Sequence, residues 1–156
     1  ELMKRYVAAY PVEIEKLYSL IIFNYLICNG DAHLKNFSLF RNEQFGDYTL
    51  TPAYDLMNSR IHINIEPDTS LDLFKDDFMT EEYKAGSKYT RVDFLELGAR
   101  VGIKEDRAEK IISRFTSKEE KVIEQVNQSF LPDKLKSSYI ELVTERRERL
   151  RIFAPR

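Results

Sequence analysis

Between Leu17 and Ile27 only Ser19 and Asn24 interrupt an otherwise apolar or aromatic run. A helix that is apolar on every face finds no side that tolerates water, so it must run through a core and not along a surface. The run is also too short for a membrane span, which takes about 20 apolar residues. Pro11 suits the first turn of such a helix, because the N–H that proline lacks would be unpaired there anyway. From Val12 to Ile27, at about 1.5 Å per residue, the helix would be roughly 24 Å long, a central strut.

The strut runs into Cys28-Asn29-Gly30-Asp31, where glycine and asparagine, which tolerate positive φ, mark a sharp turn. Two short extended segments follow, Asn36–Phe40 and Tyr48–Thr51, separated by the polar stretch 41–47, and they predict a hairpin. Pro52 ends it and leaves Ala53-Tyr54-Asp55-Leu56 just beyond. Ile61, Ile63 and Ile65 alternate with His62, Asn64 and Glu66, a period of two that predicts another short strand. Residues 67–89 read as a surface loop with a turn or two of helix. Beyond Tyr89 the pattern is helical: Thr90 with Asp93 forms a capping-box pattern, Gly102 is a stop, and Ala108, Ile111, Ile112 and Phe115 line a second helix. Ser117 with Glu120 predicts a third start, leading into Val122, Ile123, Val126 and Phe130, and Pro132 precedes a last helix carrying Leu135, Tyr139, Leu142, Val143 and Leu150. The expected architecture is mainly α with a small β hairpin, one domain over 1–156.

Composition limits the function. A formal net charge of −2 excludes a strongly basic nucleic-acid module as the first reading. A single cysteine, Cys28, excludes an internal disulfide framework or a Cys-rich zinc site. Nothing at the start resembles a signal peptide, and the expected location is cytoplasmic, without a membrane partner.

The chemistry is concentrated in Asn29-Gly30-Asp31-Ala32-His33-Leu34-Lys35-Asn36, followed by Asp55. A buried helix delivers a tight loop bearing a carboxylate, an imidazole, an ammonium and an amide. The two ends of a hairpin lie close in space, so Asn36 and Asp55 can face one another although 19 positions separate them. An amide oxygen and a carboxylate are hard ligands suited to magnesium. Asp31, one loop width away, is placed to accept a proton from an attacking hydroxyl, and Lys35 to put positive charge beside phosphate oxygens. That is the set phosphoryl transfer requires: a positioned nucleophile, metal-held phosphates and compensating charge. Each residue alone has a plainer reading. Asn29-Gly30-Asp31 is an ordinary turn, His33 a structural hydrogen-bonder that orients the loop or bonds to Asp31, Lys35 a solvated surface group and Asp55 a cap for the turn that follows it. Asn24 would satisfy a backbone or loop group, and His62 would simply be exposed. It is the joint order, Asp, Asn five residues later, then Asp after a hairpin, that protein kinases share.

On Phe23-Asn24, Ile27 to Leu39 and Pro52-Ala53-Tyr54-Asp55-Leu56, the sequence resembles the C-terminal region of HipA-like serine/threonine kinases, the toxins of bacterial toxin–antitoxin pairs. The resemblance implies a protein-kinase-like C-terminal lobe, with Asp31 as catalytic base and Asn36 and Asp55 holding Mg2+. His33 and Lys35 fall on loop positions that family members fill with polar or basic groups. It further implies ATP as phosphoryl donor, a protein substrate such as an aminoacyl-tRNA synthetase, and a helix-turn-helix antitoxin of the HipB type, with DNA reached only through that antitoxin. Only 28 residues precede the Asn29-Gly30-Asp31 loop, so the ATP-clamping N-terminal lobe is expected to be absent from this chain and the chain alone to bind ATP weakly.

Two other functions compete. An aminoglycoside- or choline-type small-molecule kinase shares the order of acidic residues but carries His where this chain has Asn29. A non-catalytic module that grips antitoxin or DNA would draw on Arg146, Arg147, Arg149 and Arg151, yet Glu141, Glu145 and Glu148 lie among them, and a solvated helix face is the simpler expectation.

Overall fold

The computed structural model describes residues 1–44, 46–63, 67–75 and 77–151. The strut is α2 (Tyr10–Leu26), preceded by a short α1 (Leu2–Tyr6). Ile14, Tyr18, Ile22 and Tyr25 recur at steps of four, four and three, which places them on one face of α2. That face meets Phe94 and Leu97 of α4 (Arg91–Arg100), Ala108, Ile111 and Ile112 of α5 (Glu105–Thr116), and Leu150 of α7 (Asp133–Arg151). Two tyrosines extend this core with a polar tip each: the Tyr18 hydroxyl donates to the Phe94 carbonyl at 2.8 Å and that of Tyr25 to the Tyr89 carbonyl at 2.5 Å. Burial pushes both phenols up. The other line of α2, Leu17 and Ile21, is only half-buried, so the strut is enclosed on one side and not all round.

The hairpin forms as β1 (Leu39–Arg41) and β2 (Tyr48–Leu50), antiparallel, with Leu39 opposite Leu50 and Arg41 opposite Tyr48. Its first strand is shorter than expected, because Leu34–Asn36 closes instead into a single 3₁₀ turn. A buried carboxylate docks it: Glu13 of α2 accepts the Leu50 N–H at 2.8 Å and also holds Lys16. The strand expected at 61–65 is absent where it is described, since Ile61 and His62 lie in a turn. The Asn58 amide oxygen accepts the Ile61 N–H at 3.1 Å, and the Ser59 carbonyl takes that of His62 at 3.0 Å. Local turn bonds, one of them to a side chain, have outcompeted the alternating pattern; Asn64, Ile65 and Glu66 lie outside the described residues. His62 is exposed, as expected.

The helix within 67–89 is α3 (Glu81–Gly86), opened by Thr80, whose hydroxyl accepts the Tyr83 N–H. Asp93 accepts from the Thr90 N–H at 2.7 Å, as the capping pattern predicted, and from the Thr80 hydroxyl at 2.6 Å as well, which ties α3 to α4. Gly102 ends α4 with φ of +87°. The predicted Ser117–Glu120 box does not form: Ser117 closes α5 by donating to the Arg114 carbonyl, and α6 (Glu119–Gln128) starts two residues later. Phe130 lies beyond α6 and is fully exposed, so it is not part of an apolar stripe.

The arginines of α7 correct a further expectation. Arg146 is 1% exposed and Arg147 is buried as well, so this is no solvated face. Arg146 lies 2.5 Å from the Asp68 carboxylate and 4.6 Å from the centre of the Tyr25 ring. Arg149 bonds to Asp68 and Glu145 at 2.8 and 2.6 Å, Arg147 to Glu119, and Arg151 to Glu148 and Glu119. With its charges answered inside the fold, the cluster no longer supports a phosphate-backbone contact. No helix among the described residues is long and apolar enough to cross a membrane.

Two tests follow from this packing. A Cβ added at Gly98 would sit 3.1 Å from that of Ala108, whereas one at Gly86 would meet nothing within 4 Å. Gly98→Val should therefore cost about 1–3 kcal/mol by overpacking, and Gly86→Ala should be neutral or stabilise by about 0.4–1 kcal/mol, both read from urea unfolding. Arg146→Ala, which takes one arginine from Asp68 and leaves a cavity against the Tyr25 ring, should cost about 2–5 kcal/mol in the same assay.

Candidate active site

The loop is built by the way α2 ends. The Cys28 N–H bonds to the Tyr25 carbonyl at 3.1 Å and the Asn29 N–H to the Asn24 carbonyl at 2.9 Å, the paired bonds of a Schellman ending. That ending requires a left-handed residue, and it is Cys28, with φ of +57°, and neither Asn29 nor Gly30, that takes the conformation. For a residue with a side chain this costs roughly 1–2 kcal/mol. Burial pushes the Cys28 thiol up, which makes it a poor nucleophile.

Asn29 is thereby freed to bond with its side chain. Its Nδ2 donates to Asn24 Oδ1 at 2.8 Å and to the Asp55 carbonyl at 3.1 Å, and its Oδ1 accepts the Asp31 N–H at 3.3 Å. One buried amide thus links the end of α2, the loop, and the segment after the hairpin. Asn24 holds this amide and bonds the Leu20 carbonyl at 3.0 Å, as the sequence reading expected. Ser59 adds a second tie, its hydroxyl accepting from the Gly30 N–H at 2.9 Å and donating to the Cys28 carbonyl at 3.2 Å.

Asn36 and Asp55 come together. Asn36 Nδ2 donates to Asp55 Oδ2, while its Oδ1 accepts the His33 N–H at 3.0 Å. Asp55 sits in the left-handed region with φ of +55°, a conformation aspartate tolerates better than most residues. Tyr54 braces the pair from the next position, its hydroxyl 2.6 Å from the Lys35 carbonyl and 2.8 Å from the Ser38 hydroxyl. The carboxylate of Asp31 is exposed and has no partner among the described residues, and the same holds for the Lys35 ammonium. His33 does not bond to Asp31 through its ring; its backbone N–H donates to the Asp31 carbonyl at 2.7 Å, and its buried Nδ1 has no hydrogen-bond partner among the described residues.

The donor set fits a divalent cation of the magnesium type. Asn36 Oδ1 keeps one lone pair beyond the His33 bond, and Asp55 keeps its second carboxylate oxygen. Magnesium is held by one or two protein oxygens and completes its shell with water and phosphate, so a two-residue set suffices. Among the described residues no group of three or more His, Cys, Asp or Glu is placed to hold a metal. Sequence reading missed Asn29 as a hub, along with Ser59, Tyr54 and Glu13. Asn29 could have been singled out only by asking what would hold Asp55, since asparagine before glycine reads first as a turn.

A family model described as HipA-like C-terminal domain matches residues 1–123. The chain is also 32% identical over 75 residues to a Sinorhizobium fredii protein named "Putative kinase Y4mE", a stretch that covers 48% of this chain and 17% of that protein. Asn29→Ala removes both donors and leaves Asn24 and the Asp55 carbonyl short of partners. It should cost about 1–3 kcal/mol in chemical unfolding, whereas Tyr54→Phe, at an exposed site, should cost under about 1 kcal/mol.

Proposed function

The chain belongs to the HipA-like C-terminal domain family, and from that premise we propose that it is the catalytic lobe of a magnesium-dependent protein kinase that transfers the γ-phosphoryl of ATP to a serine or threonine hydroxyl. The observation that carries the reading is the pairing of Asn36 with Asp55 at the base of the hairpin, tied through the Asn29 amide to the backbone of Asp31, whose exposed carboxylate has no partner among the described residues. A general base must keep its oxygens free for the incoming hydroxyl.

In this reading Asp31 orients the acceptor hydroxyl and takes its proton. Asn36 and Asp55 would hold Mg2+, which supplies charge neutralisation at the phosphate oxygens. Lys35 adds positive charge near the transferring group, and His33 keeps the loop in register through its backbone bonds to Asp31 and Asn36. An ATP-clamping N-terminal lobe completes the nucleotide site, and a helix-turn-helix antitoxin is the partner that the family resemblance favours.

Calorimetry with ATP tests the metal half: binding should require magnesium and be lost in Asp55→Ala. In the full-length protein Asp31→Asn should leave magnesium–ATP binding intact and lower phosphoryl transfer by about 10²–10⁴-fold. Binding that ignores both magnesium and Asp55 would overturn the assignment.

A further inference from the structure

Resting on the kinase reading, we propose that the cavity beside Asp31 receives an apolar side chain of the protein segment that presents its hydroxyl to that carboxylate, so that the substrate carries a hydrophobic residue close to the acceptor, with a lysine or arginine nearby. The cavity has a volume of about 200 Å³ and lies between Leu17 and Ile21 of α2, Ala32 and Leu34 of the loop, and Leu71 and Leu73 of the segment that follows the hairpin. Sites for small molecules and cofactors run to about 300–1,000 Å³, so this one is sized for a side chain and not for a nucleotide.

The lining explains why α2 is apolar on the line that the core does not cover: Leu17 and Ile21 stay half-buried because they form the cavity wall. Leu34 is 73% exposed and Leu71 41% exposed, apolar surface on two sides of the cavity that the fold itself does not use. The amides in the wall offer little to a polar ligand, since Asn24 and both donors of Asn29 are committed within the protein. The outer wall is anchored: the Thr69 hydroxyl donates to the Leu71 carbonyl at 2.7 Å and the Leu73 N–H to the Tyr89 hydroxyl at 3.3 Å.

Charge and place name the occupant. Ala32 adjoins Asp31 in the chain, so a residue seated in the cavity has its neighbours within reach of that carboxylate. Asp72 lines the cavity and is exposed, with no ion-pair partner among the described residues. With Asp31 given to the acceptor hydroxyl, that unanswered carboxylate at an apolar recess complements a hydrophobic stretch of polypeptide that carries a basic residue.

The test uses the full-length protein and a positional-scanning library of short peptides with a central serine in an alanine and lysine background. Binding is followed by fluorescence anisotropy and magnesium–ATP binding separately by calorimetry. Leucine, isoleucine or methionine at one position near the serine should tighten binding by about tenfold over alanine. Leu71→Asp should erase that preference while leaving the melting temperature and magnesium–ATP binding unchanged. Leu71→Lys, at the same exposed position, should in addition weaken the preference for basic peptides. A library without an apolar preference, or a preference that Leu71→Asp leaves intact, overturns the proposal, as does a small-molecule acceptor that binds in place of peptide. Persisting peptide selection without any magnesium–ATP binding would instead sink the kinase reading and leave the recognition site standing.

Discussion

Where a largely buried helix ends, its last carbonyls and the loop leaving it must find partners with little help from water, and in this chain the carboxamide of Asn29 meets much of that demand. It grips Asn24 inside α2, receives the backbone of Asp31 and reaches across to the carbonyl of Asp55. The two aspartates of the candidate site are thereby set by one side chain that touches neither carboxylate. Both carboxylates are left with capacity for something outside the fold, and the burial of the amide keeps water from competing for its bonds.

Charge is used inwardly to an unusual degree. Glu13 fixes the hairpin to α2, and Asp68 fixes the stretch after the hairpin to α7 through Arg146 and Arg149. Such buried pairs add little net stability, because desolvating two ions offsets most of their attraction. What they supply is geometry: an ion cannot slide along its neighbour as a methyl group can, and a misplaced one is heavily penalised. The segments joined in this way are those that flank the Asn36–Asp55 pair and wall the cavity.

The sequence made the local features legible. The strut, the hairpin, the Thr90–Asp93 cap and the juxtaposition of Asn36 with Asp55 all follow from periodicity, turn chemistry and the closeness of hairpin ends. What stayed hidden depends on partners remote in the chain. Glu13 reads as surface until Leu50 is known to lie over it, and Arg146 as one more charge on a helix until Asp68 and Tyr25 close around it. Asn29 announces a turn, but the turn residue is Cys28, chosen by the Schellman bonds and not by its own preference. The alternation at Ile61 and Ile63 was a true pattern with no neighbouring strand to pair with among the described residues, and Asn58 and Ser59 took the backbone instead.

The recognisable family segment stops at residue 123, yet α7 begins at Asp133 and plugs the core with Leu150 and Arg146. Kinship and cooperativity therefore have different borders in this protein. The matched stretch is closed by a helix outside it, so the tail of this chain is constrained by packing at those two places, which take an apolar wedge and a cation. A loop at one end of the strut thus has its footing set from the opposite end of the chain, by residues that lie nowhere near it in sequence.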